Sequence, residues 1–139
     1  PPTPFVPPPP AEWDTALNAD TCLAWGVCAA RPSSCISVVK DNMLLANAAG
    51  HVQRVTASEN VVQHAKLTQR TQMLNGAAVC SDSYFSFADA LDHLARRKVK
   101  AVFATSGSVH DNAIRAHAEK FDILFHTVPD REGRIFYGH

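Results

Sequence analysis

Two stretches of this chain carry residues whose types and spacing could do chemistry. The first is Val79-Cys80-Ser81-Asp82-Ser83-Tyr84-Phe85-Ser86-Phe87, and the second is Ala104-Thr105-Ser106-Gly107-Ser108-Val109-His110-Asp111. In each, a short apolar run stops at small polar residues and a helical pattern follows, as at a strand-to-helix turn of an α/β unit. Ser86 precedes Asp89 by three residues and Ser108 precedes Asp111 by three, the spacing of a capping box with Asp in place of Glu. Both turns therefore belong at carboxyl ends of strands, beside helix N-termini, where backbone N–H groups and the helix dipole favour anionic or polar ligands. The same residues also suit ordinary well-capped loops with no ligand.

Other chemistries find less support. The histidines number seven, yet no pair has H-E-x-x-H spacing, and the H-x-E or C-x-E and P-C-x-x-C signatures of zinc-dependent nucleobase deaminases are missing. No metal is expected. His110 and His117, two helical turns apart, read as sharing a surface face. Cys22, Cys28, Cys35 and Cys80 form no C-x-x-C pair and lie in apolar stretches, so buried reduced thiols and a reducing intracellular compartment are expected. Thirteen basic residues balance thirteen acidic ones, which gives no global electrostatic argument for nucleic acid. No apolar run is long enough to span a bilayer. The first residue is Pro1 rather than methionine, which leaves open a removed leader, including an organellar presequence, or a fragment of something longer.

The elements that must position these residues follow from periodicity. Residues 1–14 form a proline-rich extended arm, with proline at seven of the first ten positions. Phe5, Val6 and Trp13 are its large apolar groups and the expected anchors on a protein partner, the alternative being a plain tail. Residues 15–139 form one α/β domain. A helix is expected over 15–31, burying Leu23, Ala24, Val27 and Cys28 and stopped by Pro32. Residues 35–39 and 43–46 flank Lys40-Asp41-Asn42 as a hairpin. A polar helix over 56–74 follows, with Thr56 and Glu59 as a capping box and Val61, Val62, Ala65 and Met73 to bury. Strands at 77–80, 99–104 and 123–125, the last read as buried, then alternate with helices at 87–97 and 109–120, the second helix burying Ile114, Ala118 and Phe121. The expected architecture is a three-layer αβα sandwich around a mixed sheet, with the hairpin antiparallel and the later strands parallel.

At these residues the chain resembles the carboxyl-terminal part of AICAR transformylase, the folate-dependent formyltransferase domain of a bifunctional purine-synthesis enzyme. That family reads S-N-x-I, G-x-G-A-G-Q-x-S-R, S-D-A-F-F-P-F, P-G-G-S-x-R-D and a final R-x-F-x-H. Here the counterparts are Ser33-Ser34-Cys35-Ile36, the run from Asn47 to Arg54, Ser81 to Phe87, Ser106 to Asp111, and Arg134 to His139. They are collinear from about residue 20 onward. The resemblance implies a cytidine-deaminase-like fold without zinc, and substrate-binding positions at Ser34, His51, Arg54, Ser81, Asp82, Phe85, Phe87, Gly107, Ser108, Asp111 and Arg134.

Several of these positions depart from the family pattern. Ser34 replaces the asparagine that contacts the formyl group, His51 replaces a glutamine, Gln53 a serine, and His110 the arginine of R-D. The proline and first glycine of P-G-G become Thr105 and Ser106. The family's Lys-His proton-transfer pair belongs to the preceding half of the domain, which these residues do not include. Loss of a general acid–base partner costs about two to four orders of magnitude in rate. No catalytic residue is therefore assigned. The expected function is a degenerate, cofactor-free pseudoenzyme domain serving as a structural or interaction subunit of a larger assembly. The alternatives are half of a split transformylase, using folate with a Lys-His half on another chain, or a sensor that binds a nucleotide or folate without turnover.

Overall fold

A computed structural model describes residues 13–31, 35–50, 54–82 and 88–129. The arm anchors Phe5 and Val6 and the candidate residues Ser34, His51, Phe85, Phe87 and Arg134 lie outside them, as does the proposed Ser86 cap.

Strands β1 (Ile36–Lys40), β2 (Met43–Ala48), β3 (Ala78–Ser81), β4 (Ala101–Ser106) and β5 (Leu124–Pro129) form one sheet in the order β2-β1-β3-β4-β5. β1 pairs antiparallel with β2 and β3, and β3-β4 and β4-β5 are parallel. The mixed sheet and the strand directions are those expected. Side chains alternate between two helical layers, as the two-residue repeat of a strand requires. Ile36, Val38, Val79, Val102 and Ala104 face α2 (Arg54–Leu67), α3 (Ala88–Ala95) and α4 (Asp111–Lys120). Val39, Cys80 and Phe103 face α1 (Thr15–Ala29), on which Trp25 meets Phe103 edge-on with ring centroids 4.8 Å apart. Such a pair adds about 0.5–1.5 kcal/mol beyond the area it buries.

Helix α1 starts at Asp14, whose Oδ1 accepts the Leu17 N–H at 2.8 Å. Its buried stripe is Leu17, Thr21, Ala24, Trp25 and Cys28, rotated from the expected one, so Leu23 faces outward. The reason is volume: the two tryptophans, Trp13 and Trp25, decide which side of the helix meets the sheet. Asp20, also buried, accepts the N–H groups of Asp41 at 3.0 Å and Asn42 at 2.7 Å. Those two hairpin residues have φ of 52° and 62°, the left-handed pair of a type I′ turn. The helix thus clamps the turn of the hairpin.

Five further expectations are corrected. The helix expected over 56–74 begins two residues earlier and stops at Leu67, because Gln69 turns left-handed (φ 60°) and the Arg70 N–H closes on the Ala65 carbonyl at 2.7 Å; a separate 3-10 turn covers Thr71–Leu74. Thr56 is therefore inside the helix, and Glu59 pairs with His93 of α3 at 3.3 Å instead of forming a capping box. β5 is an edge strand rather than a buried one, and Phe121 closes α4 on the surface instead of packing inward. Cys22 is exposed, whereas Cys28, Cys35 and Cys80 are buried, all four as free thiols.

Candidate ligand-binding edge

Strand direction decides which loops meet. β1 runs against β3, with Ile36 opposite both Ala48 and Ser81. The start of β1, the end of β2 and the ends of β3 and β4 therefore share one edge of the sheet. Five separated stretches of sequence converge there: Cys35, Ala48 to Gly50, Ser81-Asp82, Ser106 to Asp111, and Pro129. This is the edge at which α/β sheets receive ligands.

Asp82 is only 1% exposed. Its Oδ1 accepts the Cys35 N–H at 3.0 Å, while its own N–H donates to the Cys35 carbonyl at 3.2 Å. The reciprocal pair extends the β1-β3 ladder one step past Ile36 and Ser81, fastening the two loops to each other. This contact of Asp82 is thus across strands. Sequence reasoning also passed over Asn47, whose Nδ2 reaches the Ile36 carbonyl and the Cys35 Sγ, both at 3.1 Å. An amide at the last turn of a hairpin strand was the available signal.

The second loop is built as the spacing predicts. Asp111 Oδ1 accepts the Ser108 N–H at 3.2 Å and its Oδ2 accepts the Gly107 N–H at 2.9 Å, while Ser108 Oγ accepts the His110 N–H at 3.0 Å. Half of the exchange is a capping box; the serine bonds one residue short of the usual third position. Gly107 has φ of 132°, a conformation that glycine adopts at little cost and that residues with a side chain rarely take. Asp111 sits in the first turn of α4, where its charge complements the dipole. Two backbone donors that would face a ligand's anionic group are thereby occupied by the protein's own carboxylate.

Beneath the edge, on the α1 side, Cys28 Sγ lies 3.0 Å from Ser37 Oγ and donates to the Cys80 carbonyl at 3.3 Å. Ser37 Oγ donates in turn to the Ala24 carbonyl. Burial pushes the Cys28 thiol well up, and the Cys35 thiol is raised first by the adjacent Cys28 and then by burial. Both are neutral thiols, packing groups rather than nucleophiles. Among the described residues no group of three or more His, Cys, Asp or Glu could hold a metal ion. Of the positions implied by resemblance, the structure thus brings Ser81, Asp82, Gly107, Ser108 and Asp111 to one edge, with the backbone of Arg54 leading α2 away from it. Trp13, expected to anchor the arm on a partner, is instead 6% exposed in a cluster with Leu17, Ala78 and Ala101.

No family model matches the chain. Whole-sequence comparison does find relatives. The bifunctional purine biosynthesis protein PurH of Mycobacterium ulcerans is 32% identical over 130 residues, covering 88% of this chain and 24% of the relative. PurH of Chlorobium phaeobacteroides is 34% identical over 104 residues, covering 75% of this chain and 19% of the relative. The chain thus spans no more than about a quarter of the length of these relatives. Among solved structures, a diaminohydroxyphosphoribosylaminopyrimidine deaminase/5-amino-6-(5-phosphoribosylamino)uracil reductase from Thermotoga maritima superposes with a TM-score of 0.50 at 18% identity, over 74% of this chain and 32% of that one. That likeness is one of fold. The converging motifs, the relatives and the shared architecture make this chain a divergent PurH-like segment, related to the AICAR transformylase of purine biosynthesis and folded as a cytidine-deaminase-like α/β domain.

Proposed function

We propose that this segment is a non-catalytic AICAR-transformylase-related domain that serves a larger assembly as a structural or interaction subunit and uses no cofactor. The observation that carries the reading is the use made of the two acidic residues at the ligand edge. Asp82 holds the Cys35 backbone and Asp111 holds the backbone of Gly107 and Ser108. Both roles are those of folding, which a domain keeps after its chemistry is gone. The substitutions at Ser34, His51 and His110 point the same way, since each replaces the amide or guanidinium of the family pattern with a different polar group.

A second reading is favoured by the share of the relatives covered, 24% in the longest match. Here the segment is one part of a folate-dependent formyltransferase whose Lys-His half is supplied by other polypeptide. One experiment separates the two. Formyl transfer from 10-formyltetrahydrofolate to AICAR is measured with this chain alone and with the proteins that copurify with it. The first reading expects no turnover in either sample and a stable assembly. Turnover that appears with a copurifying partner, and disappears when the partner's Lys-His pair is mutated, overturns it in favour of the second.

A further inference from the structure

The end of the sheet opposite the ligand edge carries a cleft of its own. α3 and α4 pack together and run down from that edge, and both stop where β4 and β5 begin. Their last turns enclose about 490 Å³, within the size range of ligand pockets, about 300–1,000 Å³. Ala95 and Val99, both buried, form the floor, and the ring of Phe121, 39% exposed, is an apolar wall. Arg96, Lys98 and Lys120 stand around it, and Asp122 is the carboxylate in its lining.

The cations of this cleft exceed what the domain itself uses. Arg96 Nε pairs with Asp92 Oδ2 at 2.7 Å, and its guanidinium has further donors. Lys120 Nζ lies 5.7 Å from the Phe121 ring centroid, and neither it nor Lys98 forms an ion pair with a described carboxylate. Lys98 also holds its place at a cost. It follows α3 with φ of 60°, the left-handed conformation in which helices usually place glycine. Its carbonyl accepts the Gly76 N–H at 2.9 Å, so the backbone that presents this lysine is pinned to the start of the β3 segment. Strain kept at a residue whose side chain makes no ion pair is a pointer to function.

Neutralising the helix ends accounts for part of the charge. Two helix C-termini carry about one negative charge between them, and Asp92 and Asp122 add about two more. Arg96, Arg97, Lys98 and Lys120 exceed that total by about one. Lys100 beside them is matched by Asp14 at 3.2 Å. We infer that the cleft receives an acidic segment of a partner protein, with a carboxylate among Arg96, Lys98 and Lys120 and a neighbouring apolar side chain on Val99 and Phe121. A surplus this small complements one or two carboxylates, whereas a nucleic-acid backbone is held by many phosphate contacts at once. The cleft lies at the other end of the sheet from Asp82 and Asp111, so turnover in the formyl-transfer assay would leave this inference standing.

The test titrates the full chain, labelled with nitrogen-15, with the end-blocked peptide Glu-Asp-Leu-Glu-Asp and with its basic counterpart Lys-Lys-Leu-Lys-Lys. The amides of Ala95 to Val99 and of Lys120 to Asp122 should shift saturably with the acidic peptide and stay in place with the basic one. Lys98→Gly should weaken binding at least threefold, and Lys98→Gly with Lys120→Gln at least tenfold, while Asp122→Asn should tighten it. Glycine takes φ of 60° more readily than lysine, so the weaker binding is expected in a domain that melts no lower than wild type. Absent shifts, shifts confined to the ligand edge, or unchanged affinity in the double variant overturn the inference. Oligouridylate that binds the same residues more tightly than the peptide assigns the cleft to RNA, and also overturns it.

Discussion

Replacing Asp82 with alanine tests whether the ligand edge is held by one buried carboxylate. The side chain is 1% exposed and accepts the Cys35 N–H at 3.0 Å. A hydrogen bond to a charged acceptor contributes about 1.5–3 kcal/mol, and orphaning a buried N–H costs about 1–3 kcal/mol of overlapping free energy. Removing the carboxylate also relieves its own desolvation, which offsets part of that loss. The net expectation is a loss of about 1–3 kcal/mol. With a urea slope of about 2 kcal/mol per molar, a 2 kcal/mol loss lowers the unfolding midpoint by about 1 M, readable through the fluorescence of the buried Trp25. Asp82→Asn keeps a carbonyl oxygen in place and should recover more than half of the loss. The reasoning fails if the alanine variant unfolds at the wild-type midpoint, or if asparagine is as damaging as alanine.

Asp20→Ala should cost about 1–3 kcal/mol by leaving the N–H groups of Asp41 and Asn42 without their buried acceptor, and hydrogen exchange at those two amides should accelerate with the loss. Asp111→Ala should lower stability by about 0.5–2 kcal/mol, as for the loss of a helix cap, in a denaturant melt. Native alkylation followed by mass spectrometry should modify Cys22 alone, and all four cysteines after unfolding, because the other three are buried and the thiols of Cys28 and Cys35 are raised. Asp14 is held below its ordinary carboxylate range by the Leu17 N–H and then by Lys100. A depressed folded value means that its stabilisation is present above about pH 4 and is lost as pH falls through the folded value. Asp14→Asn should therefore be less stable than wild type near neutral pH, and the two thermal melts should converge in acid.

The sequence by itself determined the local elements and the family. The apolar runs at 77–80 and 99–104 became β3 and β4, and Ser108 with Asp111 became a capped turn, because strand alternation and capping act over a few residues. Collinear motifs sufficed for kinship, since they read in order whatever the packing. Only the tertiary structure decided what depends on distant partners. That β1 runs against β3 puts Cys35 beside Asp82, 47 residues apart, and no local pattern encodes a pairing direction. Which side of α1 is buried was settled by the bulk of Trp13 and Trp25 against the sheet, and so Leu23 turned outward and Trp13 became core. Leu124 read as interior because it is apolar, yet burial belongs to a position in the sheet: at the start of the edge strand Leu124 is 41% exposed, while Val128 on the same face is buried.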